Sequence, residues 1–204
     1  MPTWTPGIDR HPALETNWRR IDCRDPLAAN EIAAALGILI PASTVGTRVI
    51  ICIGSDRSTG DALGPLVGTA LSALKLPRTR VLGTLARPVH ALNLKSTLAD
   101  LNRPKHCSPV IIAVDASLGS PERIGTIEVG VGPLHPGAGV NKGLPPVGHY
   151  YLSGVVNIGG FMEQMVLQST RLFRVMEMAV IMSTALQQYL ATTADARHKT
   201  PPIP

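Results

Sequence analysis

The sequence predicts an α/β fold with a mostly parallel central sheet and helices on both faces. Three short apolar runs, RVIICIG (48–54), RVLGTLA (80–86) and PVIIAVDA (109–116), read as strands. Continuous apolarity of this kind suits strands buried on both faces. The segments between them carry apolar residues at helical spacing, so the order is β-α-β-α-β, as in a doubly wound sheet. The chain has 204 residues, 45% hydrophobic and 16% charged. That suits one domain with a sizeable core and excludes a disordered chain.

Residues 1–47 read as an N-terminal arm with one short helix, PLAANEIAAALG (26–37), opened by Pro26 and closed by Gly37. The α/β domain proper spans 48–190. After the first strand, Leu63, Leu66, Val67, Ala70, Leu71 and Leu74 form one helical stripe. Pro65 is tolerated only in a first turn, so this helix begins close to Asp61. Pro88 opens a second crossover helix through about Asn102. IGTIEVGVG (124–132) reads as a fourth strand, PLHPGAGVNKGLPPVG (133–148) as a long loop, and HYYLSGVVNI (149–158) as a further strand. A strand pairing antiparallel within 124–131 or 149–157 is the alternative to a wholly parallel sheet. Residues 159–190 read as one long amphipathic helix whose methionines fill a core. The polar, proline-ended stretch 191–204 reads as a flexible tail.

Composition narrows the function classes. Aromatics are only 3%, too few for the stacking platforms of single-strand nucleic-acid binders. The net charge of +5 is scattered, which suits a solvated surface and not a nucleic-acid footprint. Cys23, Cys52 and Cys107 are sparse and show no paired spacing, as expected for reduced thiols. No signal-peptide h-region and no membrane-length apolar run is visible. A cytoplasmic chain that binds no membrane and no nucleic acid is the expectation.

Several motifs are absent: H-E-x-x-H, G-x-S-x-G and G-x-x-x-x-G-K-[ST]. The loop Gly54–Asp61 sits where a phosphate loop would, but an aspartate stands at the helix mouth. A carboxylate there competes with a bound anion for the same dipole. The informative feature is a pair of carboxylates. Asp61 lies at the start of the first crossover helix and Asp115 ends the third strand, so both fall at the switch-point crevice. Two carboxylates held close cannot both ionise easily; one stays protonated while the other acts as a base. The plainer alternative is that Asp61 caps a helix and Asp115 caps a turn.

Other candidates stand on the same edge. Asp56 and Arg57 share the first loop, where Arg57 either steadies a substrate carbonyl or pairs with Asp56. His90 opens the second crossover helix. Asn157 and Gly159-Gly160 stand at a strand-to-helix junction whose amides could serve an oxyanion. His135 and His149 bracket the long loop. Cys52 lies inside a buried strand and makes a poor nucleophile. With no cysteine cluster and no His pair at i, i+4, neither a structural metal nor a cofactor is expected.

The blocks IGSDRSTGDALGPLVG (53–68), RPVHALNL (87–94), VIIAVDASLG (110–119), GPLHPGAGVNKGLPPVG (132–148) and GVVNIGGFMEQMVLQSTRL (154–172) together resemble the YyaC-like sporulation proteins, a family of putative spore proteases. That family is similar to the germination proteases and the hydrogenase maturation endopeptidases. The resemblance implies a phosphorylase/hydrolase-like fold, with Asp61 and Asp115 as the catalytic pair. It implies a hydrolase acting on a protein or peptide substrate in the forespore or mother cell. In the hydrogenase endopeptidases the pair plus a later histidine grips nickel of the substrate, and His135 or His149 would be that residue here. The alternative is a non-catalytic sporulation binding or assembly protein on a protease-like fold, with the long loop as contact surface. The oligomeric state is left open.

Overall fold

The computed structural model describes residues 17–41, 47–101, 109–137 and 143–198, with side chains up to 193. In chain order the elements are β1 (Trp18–Asp22), α1 (Ala28–Leu39), β2 (Arg48–Cys52), α2 (Leu63–Ala73), β3 (Thr79–Leu82) and α3 (Leu94–Leu101), followed by β4 (Val110–Gly119), β5 (Thr126–Val131), β6 (Tyr150–Ile158), α4 (Glu163–Gln168) and α5 (Leu172–His198). They build a six-stranded sheet in the order β1-β5-β6-β4-β2-β3. β2 pairs parallel with both β3 and β4, and β4 pairs parallel with β6. β5 runs antiparallel to β6 and β1. The expected neighbours 48–52 and 110–119 are adjacent, and β5 makes the sheet mixed.

Alternation along β2 sorts the core into two layers. Ile50 and Cys52 face the larger layer, where they meet Leu36 of α1, Val67 of α2 and Met178 of α5. Val49, Ile51 and Ile53 face the smaller layer with Leu94 and Leu101 of α3. Leu134 and Val147, which form an isolated antiparallel bridge at the base of the 133–148 loop, complete that second layer. Because successive strand side chains point to opposite faces, a continuously apolar β2 needs cover on both sides, and it has it. No helix among the described residues is long and apolar enough to cross a membrane.

Three elements differ from expectation. Residues 17–41 pack on the core and also supply an unexpected strand: β1 extends the sheet beside β5, from Trp18 opposite Gly130 to Asp22 opposite Thr126. α1 buries Ile32 and Leu36 completely. WRRID carries one apolar residue that is buried, Ile21, so no apolar run announced an edge strand. The second crossover helix starts at Leu94 instead of Pro88, because Val89 bridges Ile53 as a strand residue and Asn93 then closes a turn. The expected helix 159–190 is two helices, broken at Ser169–Arg171, with Met162 in a left-handed conformation at the entry (φ 53°). α5 also runs past 190 to His198, into the stretch read as a tail; 199–204 lie outside the described residues. There the Thr192 and Thr193 hydroxyls donate to carbonyls one turn back, at 2.7 Å to Gln188 and 3.1 Å to Tyr189.

α2 lies so close to the sheet that its glycines cannot carry a side chain. A Cβ at Gly64 would be driven into the Ile53 carbonyl, and one at Gly68 into the Gly83 carbonyl. Helix propensity alone would make Gly64→Ala stabilising by about 1 kcal/mol. The close approach reverses the sign: we expect Gly64→Ala to destabilise by about 3 kcal/mol, since backbone must move to admit the methyl. Urea denaturation of the two proteins reads the sign directly.

Candidate active site

β2 ends at a sharp departure from the sheet. Gly54 (φ 137°) takes a conformation that side-chain-bearing residues avoid, and its amide donates to the Val89 carbonyl at 2.8 Å. The loop then folds back on itself, with the Ser55 amide donating to the Asp61 carbonyl at 3.2 Å and the Ala62 amide to the Ser58 carbonyl at 3.0 Å. A single 3-10 turn, Gly60–Ala62, holds Asp61 half-buried at the mouth of α2. Asp115 does not end its strand as expected: β4 runs on to Gly119, and Asp115 stands within it opposite Ser153 of β6. It retains 7% exposure, and its Oδ1 accepts the Ala116 amide at 2.8 Å.

Burial pushes the Asp115 carboxyl well above the usual carboxylate range, and the charge of Asp61 adds to the push; the Ala116 amide opposes both. Asp115 therefore holds its proton where an ordinary aspartate has lost it. The consequence for stability has a definite sign. As pH rises past the ordinary value of 3.8, the unfolded chain releases this proton while the folded chain retains it. Folding then becomes less favourable until the pH passes the raised folded value. Asn at this position keeps the amide acceptor and carries no proton to release. We expect Asp115→Asn to melt about 4 °C higher than wild type at neutral pH. The difference should vanish near pH 3, where both proteins are protonated in both states. Thermal scans at the two pH values check it.

The pair divides a cleft into two lobes. Asp61, Asp115, Gly137 and Leu167 border both. The first lobe, about 490 Å³, is also lined by Arg57, Ser58, His90, Gln164 and Gln168. The second, about 300 Å³, adds Ser117, Glu128, His135, Tyr151, Ser153 and Glu163. Ser58 Oγ and Glu163 Oε2 are buried with no partner among the described residues. Glu128 accepts from Arg20 Nε at 3.0 Å and is also held by the Arg123 guanidinium.

The sequence candidates separate cleanly. Arg57 lines the first lobe and makes no ion pair with Asp56; Asp56 is exposed and borders neither lobe. His90 lines the first lobe and His135 the second. Asn157 borders neither. Its Nδ2 donates to the Val166 carbonyl (3.3 Å) and Thr170 Oγ1 (3.1 Å), which ties β6 to α4 and to the turn between α4 and α5. The Gly159 and Gly160 amides, candidates for an oxyanion, are taken by the Gly119 carbonyl at 2.8 Å and Glu163 Oε1 at 3.1 Å. His149 belongs to the sheet: its Nδ1 accepts the Ile111 amide at 3.1 Å, and burial lowers its proton affinity. Cys52 is free and fully buried, and burial pushes its thiol upward. Among the described residues no three of His, Cys, Asp and Glu gather as a metal cage.

Two carboxylates of the second lobe, Glu128 and Glu163, went unread in the sequence. Glu163 opens a helix at the same sheet edge as Asn157, and that position was a usable signal. Glu128 lies mid-strand in β5, and its register opposite Ser153, which in turn stands opposite Asp115, carries it to the cleft.

Fold and site together define an α/β protein with a carboxylate pair at the switch point of its sheet. The chain belongs to a family described as proteins of unknown function (DUF1256), matched over residues 20–185. It is 48% identical over 162 residues to the uncharacterized protein YyaC of Bacillus subtilis (strain 168), covering 79% of this chain and 78% of that one. It is also similar to the crystal structure of a [NiFe] hydrogenase maturation protease, HycI, from Thermococcus kodakarensis KOD1. That similarity has a TM-score of 0.41 and 19% identity, over 71% of this chain and 95% of that one.

Proposed function

We propose that the protein is a peptidase-like hydrolase of sporulating bacteria, working in the forespore or mother cell on a protein or peptide substrate. The observation that carries the reading is Asp115: a buried carboxyl whose proton affinity is raised by burial and by the Asp61 charge, lining with Asp61 a cleft of about 490 Å³. In this reading Asp61 takes a proton from a water whose oxygen attacks the scissile carbonyl carbon. Asp115 donates its proton toward the carbonyl oxygen as that oxygen gains charge. The C–N bond then breaks: the nitrogen leaves with the proton that Asp61 holds, and a hydroxyl proton of the tetrahedral intermediate returns to Asp115 as the carboxyl product forms. Arg57 and His90 contact substrate in the first lobe.

A second reading, a non-catalytic binding or assembly protein on the same scaffold, is favoured by apolar side chains left in solvent beside the cleft. Phe161 is 86% exposed, and Met162 and Met165 are more than half exposed. One experiment separates the two. The full-length protein is mixed with protein extracted from sporulating cells, and new chain termini are mapped by mass spectrometry. Termini produced by wild type and absent with Asp61→Asn and Asp115→Asn are the expected result. Termini produced equally by all three overturn the assigned roles.

A further inference from the structure

His90 sits in a turn built to hold one ring state. The Leu92 amide donates to His90 Nδ1 at 3.3 Å. A nitrogen that accepts a backbone N–H carries no proton, so the neutral ring keeps its hydrogen on Nε2. Nε2 has no partner among the described residues, and the ring lines the first lobe of the cleft. Asn93 clamps the same turn from both ends. Its Oδ1 accepts the His90 amide at 2.8 Å, and its Nδ2 donates to the Pro88 carbonyl at 3.0 Å. Its own amide donates to the His90 carbonyl at 3.1 Å. The turn is anchored in turn to the Asp61 loop through the Gly54–Val89 hydrogen bond and the Ile53–Val89 bridge.

We propose that His90 presents a fixed Nε2–H donor into the first lobe, and that Asn93 is the positioning residue that sets it. The donor is for an acceptor oxygen of the substrate, such as a peptide carbonyl flanking the scissile bond. This deepens the hydrolase reading and, for the substrate contact, rests on it. The clamped ring adds one donor of fixed direction to the lobe that the Arg57 guanidinium also lines.

The test reads the ring itself first. Long-range heteronuclear NMR of nitrogen-labelled full-length protein at about pH 8.5, where an ordinary imidazole is neutral, reports which ring nitrogen bears the proton. Loss of signals in His90→Gln assigns them. Wild type should show the Nε2–H form, and Asn93→Ala should move the signals toward an average of both forms. Asn93→Asp, which keeps the acceptor for the His90 amide, should lie between. An Nδ1–H form in wild type overturns the proposal. Signals unmoved in Asn93→Ala remove Asn93 from it. These readings need no turnover, so they stand or fall apart from the hydrolase reading. In the cleavage assay, His90→Ala should raise KM about tenfold with kcat unchanged, the effect of one uniform hydrogen bond. His90→Gln, which offers an amide N–H, should recover part of the loss. Unchanged KM in His90→Ala, in an enzyme whose cleavage depends on Asp61, overturns the substrate contact.

Discussion

Asp61→Asn is expected to lower kcat for peptide cleavage by about 10³-fold, within the range ascribed to a positioned general base. An amide has no basic oxygen to take the water proton, so the attacking nucleophile is never generated. Asp115→Asn should cost less, about 10²-fold, because the Asn amide still donates a hydrogen bond toward the carbonyl oxygen without transferring a proton. The two groups act on one proton relay, so the double variant should be no slower than Asp61→Asn alone. The pH profile adds a sharper mark. Wild-type activity needs Asp115 protonated, so its alkaline limb should fall as pH exceeds the raised value of that carboxyl. In Asp115→Asn that alkaline limb should disappear. A limb that persists in the variant belongs to another group. Rates measured on one defined peptide from the mapped termini check both expectations.

The double variant Ile32→Ala, Leu36→Ala is expected to remove most of the folding stability. Both side chains are fully buried in α1, against the larger core layer shared with α2 and α5. Each truncation of this kind costs about 2–5 kcal/mol in lost transfer energy and residual cavity. Together they approach the 5–15 kcal/mol that is the whole stability of a typical domain. Neighbouring sites on one helix couple, so the sum is an upper figure. The effect should appear as a large drop in the urea midpoint of the entire protein. An appended arm would instead leave the main transition in place and lose only a minor early phase. The β1–β5 ladder gives the same expectation, since removing α1 uncovers the face that β5 shares with it.

What the residues declared on their own follows from local physics. β2 is apolar over 49–52 and β4 over 110–114, and such continuous runs arise in parallel strands covered on both faces. β2 and β4 are adjacent and parallel, and ligand crevices of doubly wound sheets open at the carboxyl ends of such strands. That rule made the cleft legible as a place, and Asp61 and Asp115 both line it.

Tertiary structure decided the rest, wherever the choice lay between partners and not between local conformations. β1 is an edge strand with three exposed residues, and pairing with β5 made it a strand. The register of β5 against β6 set Glu128 opposite Ser153 in the second lobe, and a mid-strand glutamate carries no mark of its strand's partner. Pro88–Asn93 had the start of a helix in its sequence, yet Val89 was drawn to Ile53 and left His90 in a turn. Asn157 stood at the right edge for substrate, but α4 and the turn that follows it claimed its amide group. Local periodicity reports how many faces of an element are buried. Which element buries them, and which polar groups are used up in doing so, is settled only when the whole chain packs.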